Sequence, residues 1–241
     1  MIRGRSNALI EVAILVAGGV VFFVGQRFGG RPVATAFANA RWLRSIERDL
    51  HIDVELAMNS WLAGHPWLIV VAVCVYRLYY VVLVGVLVFV FVRHREVFVS
   101  VRRVMVAMAL LVLPVYWAVP MAPPRFAVPG TVDIVAEHDI FGRSAAGPGD
   151  LGQMHMTAMP SMHVGWALWC GFAVWMALRA AHPRAALLAW LFPVGMMLVV
   201  FTTGNHYVLD VVGSVLLLLA AVGVAAGWSA LRARRSAAAR V

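Results

Sequence analysis

Two histidines and an aspartate have the residue types and the spacing that acid–base or nucleophilic chemistry needs. His206 and Asp210 are four residues apart, so in a helix they lie on one face, one turn from each other. A carboxylate in that position accepts the proton of one imidazole nitrogen and leaves the other nitrogen as a directed nucleophile or base. A purely structural His–Asp pair has the same spacing, so this pair alone does not establish a reaction.

Two further segments supply groups that bind anions. Ser161 follows Pro160 at a predicted helix start, where free backbone N–H groups attract anions, and His163 comes two residues later. Arg125 ends the stiff segment 121–125, and a guanidinium suits phosphate through paired hydrogen bonds. Taken singly, these residues are also a helix cap, an interfacial histidine and a headgroup-level arginine. Together with the His–Asp pair they make the set that phosphoryl transfer through a covalent histidine intermediate requires.

The elements that must position these residues are membrane spans. The chain has 241 residues, of which 63% are hydrophobic and 13% charged, whereas a soluble domain is roughly 45 to 50% apolar and about 25% charged. This composition excludes soluble, disordered and fibrous proteins. Apolar runs predict six transmembrane helices, at 8–24, 66–92, 100–119, 161–181, 185–201 and 206–228. We therefore predict one all-α integral membrane domain over 1–241, with a core at 41–228 and a basic cytoplasmic tail at 229–241.

The arginines predict the orientation of this domain. All 20 basic residues are Arg and the net charge is +9, but they are scattered between apolar runs rather than gathered on a face that would bind nucleic acid. The segments outside the predicted spans form two alternating sets. The set that includes both termini holds twelve Arg and the other holds seven. By the positive-inside rule, the set with twelve Arg faces the cytoplasm. Both termini are then cytoplasmic. Arg125, His163 and the His206–Asp210 pair all fall at the extracytoplasmic level.

Three features of the spans carry specific expectations. The N-terminal run 8–24 resembles a signal peptide, but its length and Glu11 favour an uncleaved span. The connection 25–65 places Trp42, Ile46 and Leu50 at helical spacing beside charged residues, which predicts an extracytoplasmic helix in the headgroup plane. This helix acts either as a structural collar or in substrate capture. The second span is either tilted or broken at Arg77, which then reaches the site or pairs with a carbonyl group or with Glu11.

The chain resembles the type 2 phosphatidic acid phosphatase superfamily, which contains six-span lipid phosphatases and phosphotransferases. The second motif of that family reads Pro-Ser-Gly-His, and 160–163 matches it with Met162 in place of Gly. The third motif ends His-x-x-x-Asp, as 206–210 does. Segments 122–125, 159–169 and 205–207 further resemble the branch that includes inositol phosphorylceramide synthases and their bacterial relatives.

This resemblance, which covers about 41–213, implies roles for the residues that match. His206 attacks phosphorus, Asp210 orients it, His163 protonates the leaving oxygen, and Arg125 and Ser161 hold the phosphate. No metal and no cofactor is implied. The substrate is a phospholipid or a polyprenyl (di)phosphate, with water as the acceptor in a phosphatase and an alcohol such as inositol in a phosphotransferase.

The chain also departs from the family pattern. The first motif begins with Lys, which this chain lacks, and the third usually begins Ser-Arg, where Val199 and Val200 stand. Phosphate binding is then expected from Arg125, backbone N–H groups and the side chains of Thr202, Thr203 or Asn205. An aromatic wall that includes Trp166, Trp169, Tyr207 and Phe126 predicts sideways entry of an acyl or prenyl chain. We expect the lipid contacts to come from Tyr207, Trp166, Tyr79 and Tyr80.

Three other interpretations carry testable differences. An intramembrane serine protease would use Ser161 and His206, but Ser161 lacks the sequence setting of an activated serine. A non-enzymatic transporter or structural membrane protein would tolerate loss of His163 and Asp210. A zinc site built from four histidines (His138, His155, His163 and His206) has no recognised ligand spacing.

Overall fold

The computed structural model describes residues 8–26, 32–138 and 156–238, which form helices and their connections. Within these ranges no β-strand forms, and Met121 and Thr157 make one isolated β-bridge. The helices, in chain order, are α1 (Ala8–Gly25), α2 (Val33–Asp49), α3 (Glu55–Ala63), α4 (Pro66–Arg93), α5 (Arg95–Ala118), α6 (Pro124–Ala127), α7 (Ile134–Glu137), α8 (Met162–Leu178), α9 (Pro183–Leu188), α10 (Leu191–Thr202) and α11 (Val208–Ala238). The expectation of an all-α fold is confirmed for the described residues.

In the described part of the chain, five segments are long and apolar enough to cross a bilayer. They are Ala8–Gly25, Pro66–Arg93, Arg95–Ala118, Pro183–Thr202 and Val208–Ala238. The remaining predicted span, 161–181, corresponds to the 17-residue apolar helix α8, which rises about 26 Å at 1.5 Å per residue. The helix that contains the last predicted span continues past 228, since α11 runs through most of the predicted basic tail to Ala238.

Arg77 does not break the second span. α4 is one helix of 28 residues, so the expectation of a break there is wrong, and Arg77 lies on the exposed side of an intact helix. Glu11 pairs instead with Arg102 of α5, and both side chains are largely buried. This ion pair ties α1 to α5 at a depth where an unpaired carboxylate would be costly.

The main hydrophobic core lies around α8, which packs against α4, α5, α10 and α11. α8 is buried almost all round, as expected for a helix without a polar face. Trp169 is fully buried and donates its indole N–H to the carbonyl of Val101 at 2.9 Å. Trp169 is therefore part of the core and not part of a wall that faces lipid.

Helix α2, the predicted collar, exposes two large apolar side chains and buries a charged one. Trp42 and Leu50 are exposed, while the face that carries Leu43 and Glu47 is buried. Glu47 is fully buried because its carboxylate accepts the backbone N–H of Leu209 at 2.7 Å, at the start of α11. The charged residue that the pattern assigned to the polar side is thus an internal tie between α2 and α11.

A tight turn between α10 and α11 carries the residues of chemical interest. Gly204 has φ +70°, and a Cβ there would stand 2.6 Å from the side chain of Thr131, so both conformation and space require glycine. Asn59 of α3 holds this region by donating to the carbonyls of Val132 and Thr202, each at 3.0 Å, and by accepting the N–H of Val132 at 2.8 Å. α3 therefore fixes the turn that presents His206.

Candidate active site

A cavity of about 260 Å³ opens where α1, α4 and α5 meet the starts of α8 and α11. Four residues predicted for the site line it together: Arg125, His163, Asn205 and His206. Three of the predicted lipid contacts also line it, namely Tyr79, Tyr80 and Trp166. Residues that are 81 positions apart in sequence, Arg125 and His206, thus meet in one pocket.

His206 has its protonation pattern fixed by two acceptors. Its Nδ1 lies 2.9 Å from the carbonyl oxygen of Ala158 and 3.2 Å from Oδ2 of Asp210. A carbonyl oxygen only accepts, so Nδ1 carries the proton and Nε2 keeps its lone pair. Burial, and after it the charge of Arg125, lowers the pKa of His206 to about 3, so the ring is neutral at pH 7 and able to act as a nucleophile.

His163 faces His206 and is held between aromatic rings. The ring centroids of the two histidines are 6.1 Å apart, close to twice the ~3 to 3.5 Å that separates reacting atoms in a productive arrangement. Tyr76 stacks on His163 at 4.1 Å and Tyr79 contacts it at 4.6 Å. These contacts fix the orientation of the His163 ring.

Arg125 is fixed by partners on three sides. Its Nε lies 3.2 Å from Oδ2 of Asp133, its NH1 donates to Oδ1 of Asn205, and its guanidinium stacks on Phe126 at 4.6 Å. Its backbone N–H donates to Gly204 at 2.9 Å. A guanidinium has five N–H groups, so these two side-chain bonds still allow it to bind a phosphate oxygen through others.

Two of the predicted phosphate ligands lie behind the pocket instead of lining it. The hydroxyl of Ser161 is fully buried and accepts the N–H of Val164 at 3.3 Å, as a helix N-cap does. Thr203 donates its hydroxyl to Val199 at 2.7 Å and accepts from the amide of Asn205 at 2.8 Å. Both side chains thus hold neighbouring residues in place, and the Ser161 hydroxyl is not presented to a peptide substrate.

Asp210 also lies behind the pocket, where it contacts His206. It is fully buried, and Oδ2 accepts the backbone N–H of Tyr207 at 2.9 Å in addition to its contact with His206. Tyr207 itself points away from the pocket and packs in a second core cluster with Met121 and Met156. The structure therefore does not bring Tyr207 together with the other predicted lipid contacts.

Below Asp210 lies a pair of buried carboxyl groups that the sequence analysis did not identify. Glu47 of α2 and Glu55 of α3 are both buried, and their side chains are hydrogen-bonded to each other. Burial, and after it the bond to Glu55, raises the pKa of Glu47 to about 9. Two carboxyl groups bond to each other only through a shared proton, so the pair holds one proton next to the start of α11.

Other residues of the site were also missed by sequence reasoning. Asp133 follows Arg125 by eight residues and gave no spacing signal. Tyr76 was also not predicted to contact a histidine. Its i, i+3 and i+4 spacing with Tyr79 and Tyr80 is a signal for one helical face, but only the tertiary packing shows that Tyr76 and Tyr79 contact His163.

The described residues contain no group of three His, Cys, Asp or Glu placed to hold a metal ion. His138 lies in the described part, with Nδ1 3.3 Å from the carbonyl oxygen of Ile134. His155, the fourth histidine considered for zinc, lies outside the described residues.

Comparison with known proteins gives one match. A family model described as the PAP2 superfamily matches residues 41–224. No curated protein and no solved structure matches the chain. The matched range contains both histidines, Arg125 and Asp210, and it excludes α1.

Proposed function

The chain belongs to the PAP2 superfamily, and from that membership and the geometry of its pocket we propose an enzyme that cleaves or transfers the phosphate of a membrane lipid. Membership supports a phosphatase-type activity on lipid phosphates in general. The observation that carries the finer proposal is the pairing of His206 and His163 across one cavity, with Arg125 and Asn205 at its edge.

In the first step, Nε2 of His206 attacks phosphorus while the bond from phosphorus to the leaving oxygen breaks. His163, on the opposite side, donates a proton to that oxygen, so the lipid leaves as an alcohol or, from a diphosphate, as a monophosphate. The His206 ring gains positive charge as it attacks. Asp210 and the Ala158 carbonyl stabilise this charge by accepting the Nδ1–H. The product is a phosphohistidine.

In the second step, an acceptor hydroxyl attacks the phosphohistidine. His163, now neutral, takes the proton of the acceptor, and the phosphorus–nitrogen bond breaks. Water as acceptor gives inorganic phosphate, and an alcohol gives a new phosphate monoester. The resemblance of 205–207 to inositol phosphorylceramide synthases favours transfer, and the site accommodates either acceptor by the same two steps.

The phosphate oxygens are bound by Arg125 and by backbone N–H groups at the start of α8. Asn205, predicted as a further phosphate ligand, instead positions Arg125, because its amide N–H groups donate to Thr203 and its oxygen accepts from the guanidinium. Arg125 takes the place of the missing family Lys and Arg, because Asp133 and Asn205 hold its guanidinium at the pocket edge. The start of α8 contributes a partial positive charge from the helix dipole, and Met162 and His163 at that start line the pocket.

The proposed topology has six spans, α8 being the fourth, with both termini in the cytoplasm. The ends of α1 and α5 and the starts of α8 and α11 then lie on the outer side, and these elements surround the pocket. The substrate is thus a lipid of the outer leaflet, and α2 lies in the headgroup region with Trp42 and Leu50 exposed to it.

The test is phosphate release by the purified protein from phosphatidic acid and from polyprenyl diphosphate in detergent, with and without added inositol. We expect activity that persists in chelator, disappears in His206→Ala, and remains in His182→Ala, which changes an exposed histidine. Activity in His206→Ala equal to that of the unchanged protein would refute the histidine mechanism.

A transporter or structural protein predicts a different result. Such a protein would release no phosphate from either lipid, and His163→Ala and Asp210→Asn would still complement loss of the protein in cells. A serine hydrolase would instead be labelled at Ser161 by a fluorophosphonate, whereas the buried, capping hydroxyl predicts no labelling.

A further inference from the structure

A second cavity continues from the candidate active site into the apolar part of the fold. Its volume is about 210 Å³, and it shares Phe22, Phe23, Tyr80 and Trp166 with the active-site pocket. The rest of its wall comes from apolar side chains and two glycines of α1, α4 and α5. We call this cavity the α1 groove. The α1 groove connects the residues that would hold a phosphate to an apolar space. This space favours a hydrocarbon chain over a polar group, which would lose its hydrogen bonds to water there.

The groove exists because α1 packs closely against α5 and leaves a gap beside α4. Glu11 and Phe22 are the buried residues of α1, Glu11 pairs with Arg102, and Phe22 meets Trp166 edge to face at 5.8 Å. Between these two contacts, Gly18 and Gly19 present no side chain to the groove.

The two glycines leave measurable space. An added Cβ at Gly18 would stand 3.7 Å from Val106, and one at Gly19 would meet no described atom within 4 Å. Both glycines line the groove. A larger residue at either position would therefore fill the groove without striking the backbone, so these residues set its width.

A third cavity of about 110 Å³ extends the same path, since it shares Leu15 and Leu87 with the α1 groove and reaches Val12. From Phe23 to Val12 the helix advances about 17 Å at 1.5 Å per residue. One leaflet of a bilayer has a hydrocarbon thickness of about 15 Å, half of the whole core. The path is therefore as long as one leaflet.

We propose that the α1 groove binds the hydrocarbon chain of the substrate whose phosphate lies between His163 and His206, and that Gly18 and Gly19 determine which chains fit. The inference rests on the proposed function and adds to it a substrate class: lipids with at least one chain that reaches along most of a leaflet. α1 lies outside the range matched by the family model, so this specificity belongs to the part of the chain that the match does not cover.

The test compares three substrates and two matched variants. The substrates are hexadecyl phosphate, octyl phosphate and p-nitrophenyl phosphate, which has no chain. The variants are Gly19→Leu, which fills the groove, and Gly85→Leu, which adds the same side chain to an exposed position of α4 with equally open space and outside the groove. Each protein is assayed for phosphate release in the same detergent.

Gly19→Leu is expected to lower kcat/KM for hexadecyl phosphate by about 15- to 200-fold, because displacing two to four methylenes costs about 0.8 kcal/mol each and about 1.4 kcal/mol corresponds to tenfold. Activity on p-nitrophenyl phosphate should stay as in the unchanged protein, and Gly85→Leu should keep the original preference. If Gly19→Leu is active and its chain-length preference is unaltered, the proposal that the α1 groove binds the hydrocarbon chain is refuted. Absence of activity on all substrates in the unchanged protein would instead overturn the proposed function.

A second measurement covers the case in which Gly19→Leu folds poorly. Hexadecyl phosphate with a diazirine at the end of its chain is bound to the unchanged protein, irradiated, and the attachment sites are mapped by mass spectrometry. Attachment within 12–23 of α1 or 83–88 of α4 is expected. Attachment concentrated on α10 or α11 would contradict the groove even if the protein is active.

Discussion

Replacing Asp210 by Asn tests how His206 is held, because the structure gives the imidazole two acceptors. Nδ1 lies 2.9 Å from the Ala158 carbonyl and 3.2 Å from Asp210. In Asp210→Asn the carbonyl still keeps the proton on Nδ1, and the Asn oxygen still accepts the Tyr207 N–H. What is lost is one charged hydrogen bond, which stabilises the positive ring formed during attack.

The magnitude follows from that single loss. A hydrogen bond to a charged group contributes about 1.5 to 3 kcal/mol, and about 1.4 kcal/mol corresponds to tenfold in rate. We therefore expect kcat for a lipid phosphate to fall about 10- to 150-fold with little change in KM. An imidazole left in the wrong tautomer would lose about 10⁴-fold.

The assay is phosphate release from hexadecyl phosphate over a range of concentrations, so that kcat and KM separate. Ser214→Ala is the control, since Ser214 is buried one turn farther along α11 and bonds to the Ser161 and Asp210 carbonyls without touching His206. A fall near 10⁴-fold would show that the Ala158 carbonyl does not fix the tautomer. A fall below about threefold, less than the smallest charged hydrogen bond, would show that Asp210 does not support His206.

Three further predictions concern the surroundings of the site. Folding favours protonated Glu47, because its pKa is raised from 4.5 to about 9. Its contribution to stability is therefore complete below pH 4.5 and is lost as the pH rises towards 9. The titratable groups that face it are Glu55, Asp210 and Tyr207. Glu47→Gln is neutral at every pH, so its Tm should fall less than that of the unchanged protein between pH 5 and about 9. The exposed control Glu96→Gln should follow the unchanged protein. An equal dependence of Tm on pH in both variants would contradict the shared proton. Gly204→Ala should lower the free energy of unfolding by at least about 1 kcal/mol, because φ is +70° and Thr131 stands 2.6 Å from the new Cβ. The measurement is thermal unfolding in detergent, and an unchanged Tm would contradict the requirement for glycine in this turn. Arg125→Lys should reduce kcat/KM by about 10-fold or more, since a single ammonium cannot bind Asp133, Asn205 and phosphate in the planar arrangement, and full activity in that variant would show that Arg125 does not hold the phosphate.

Local spacing and the alternation of spans were sufficient to predict most of the candidate site. The interval between His206 and Asp210 predicted their contact, and the topology predicted that Arg125 and His163 would meet them. The structure brings these residues together, because a helix fixes which residues share a face, and because Arg125, His163 and His206 line one pocket.

The parts that sequence reasoning missed depend on partners far away in the chain. Glu47 has a polar neighbourhood only because Glu55 and the Leu209 N–H are brought to it, and the helical pattern of α2 contains no sign of either. Tyr207 follows His206 directly, yet the turn before α11 sends its side chain into a different cluster. The α1 groove likewise arises from the gap between α1 and α4, which no single segment encodes.

The most direct test of the central proposal is to trap the phosphorylated enzyme. The protein is mixed with lipid phosphate that carries a radioactive phosphorus, quenched in alkali and detergent, and the labelled peptide is identified. The account predicts an acid-labile, alkali-stable phosphate on His206, absent in His206→Ala and still present in His182→Ala. Turnover of the lipid with no label on His206 under any quench time, or with label on another residue, would contradict it.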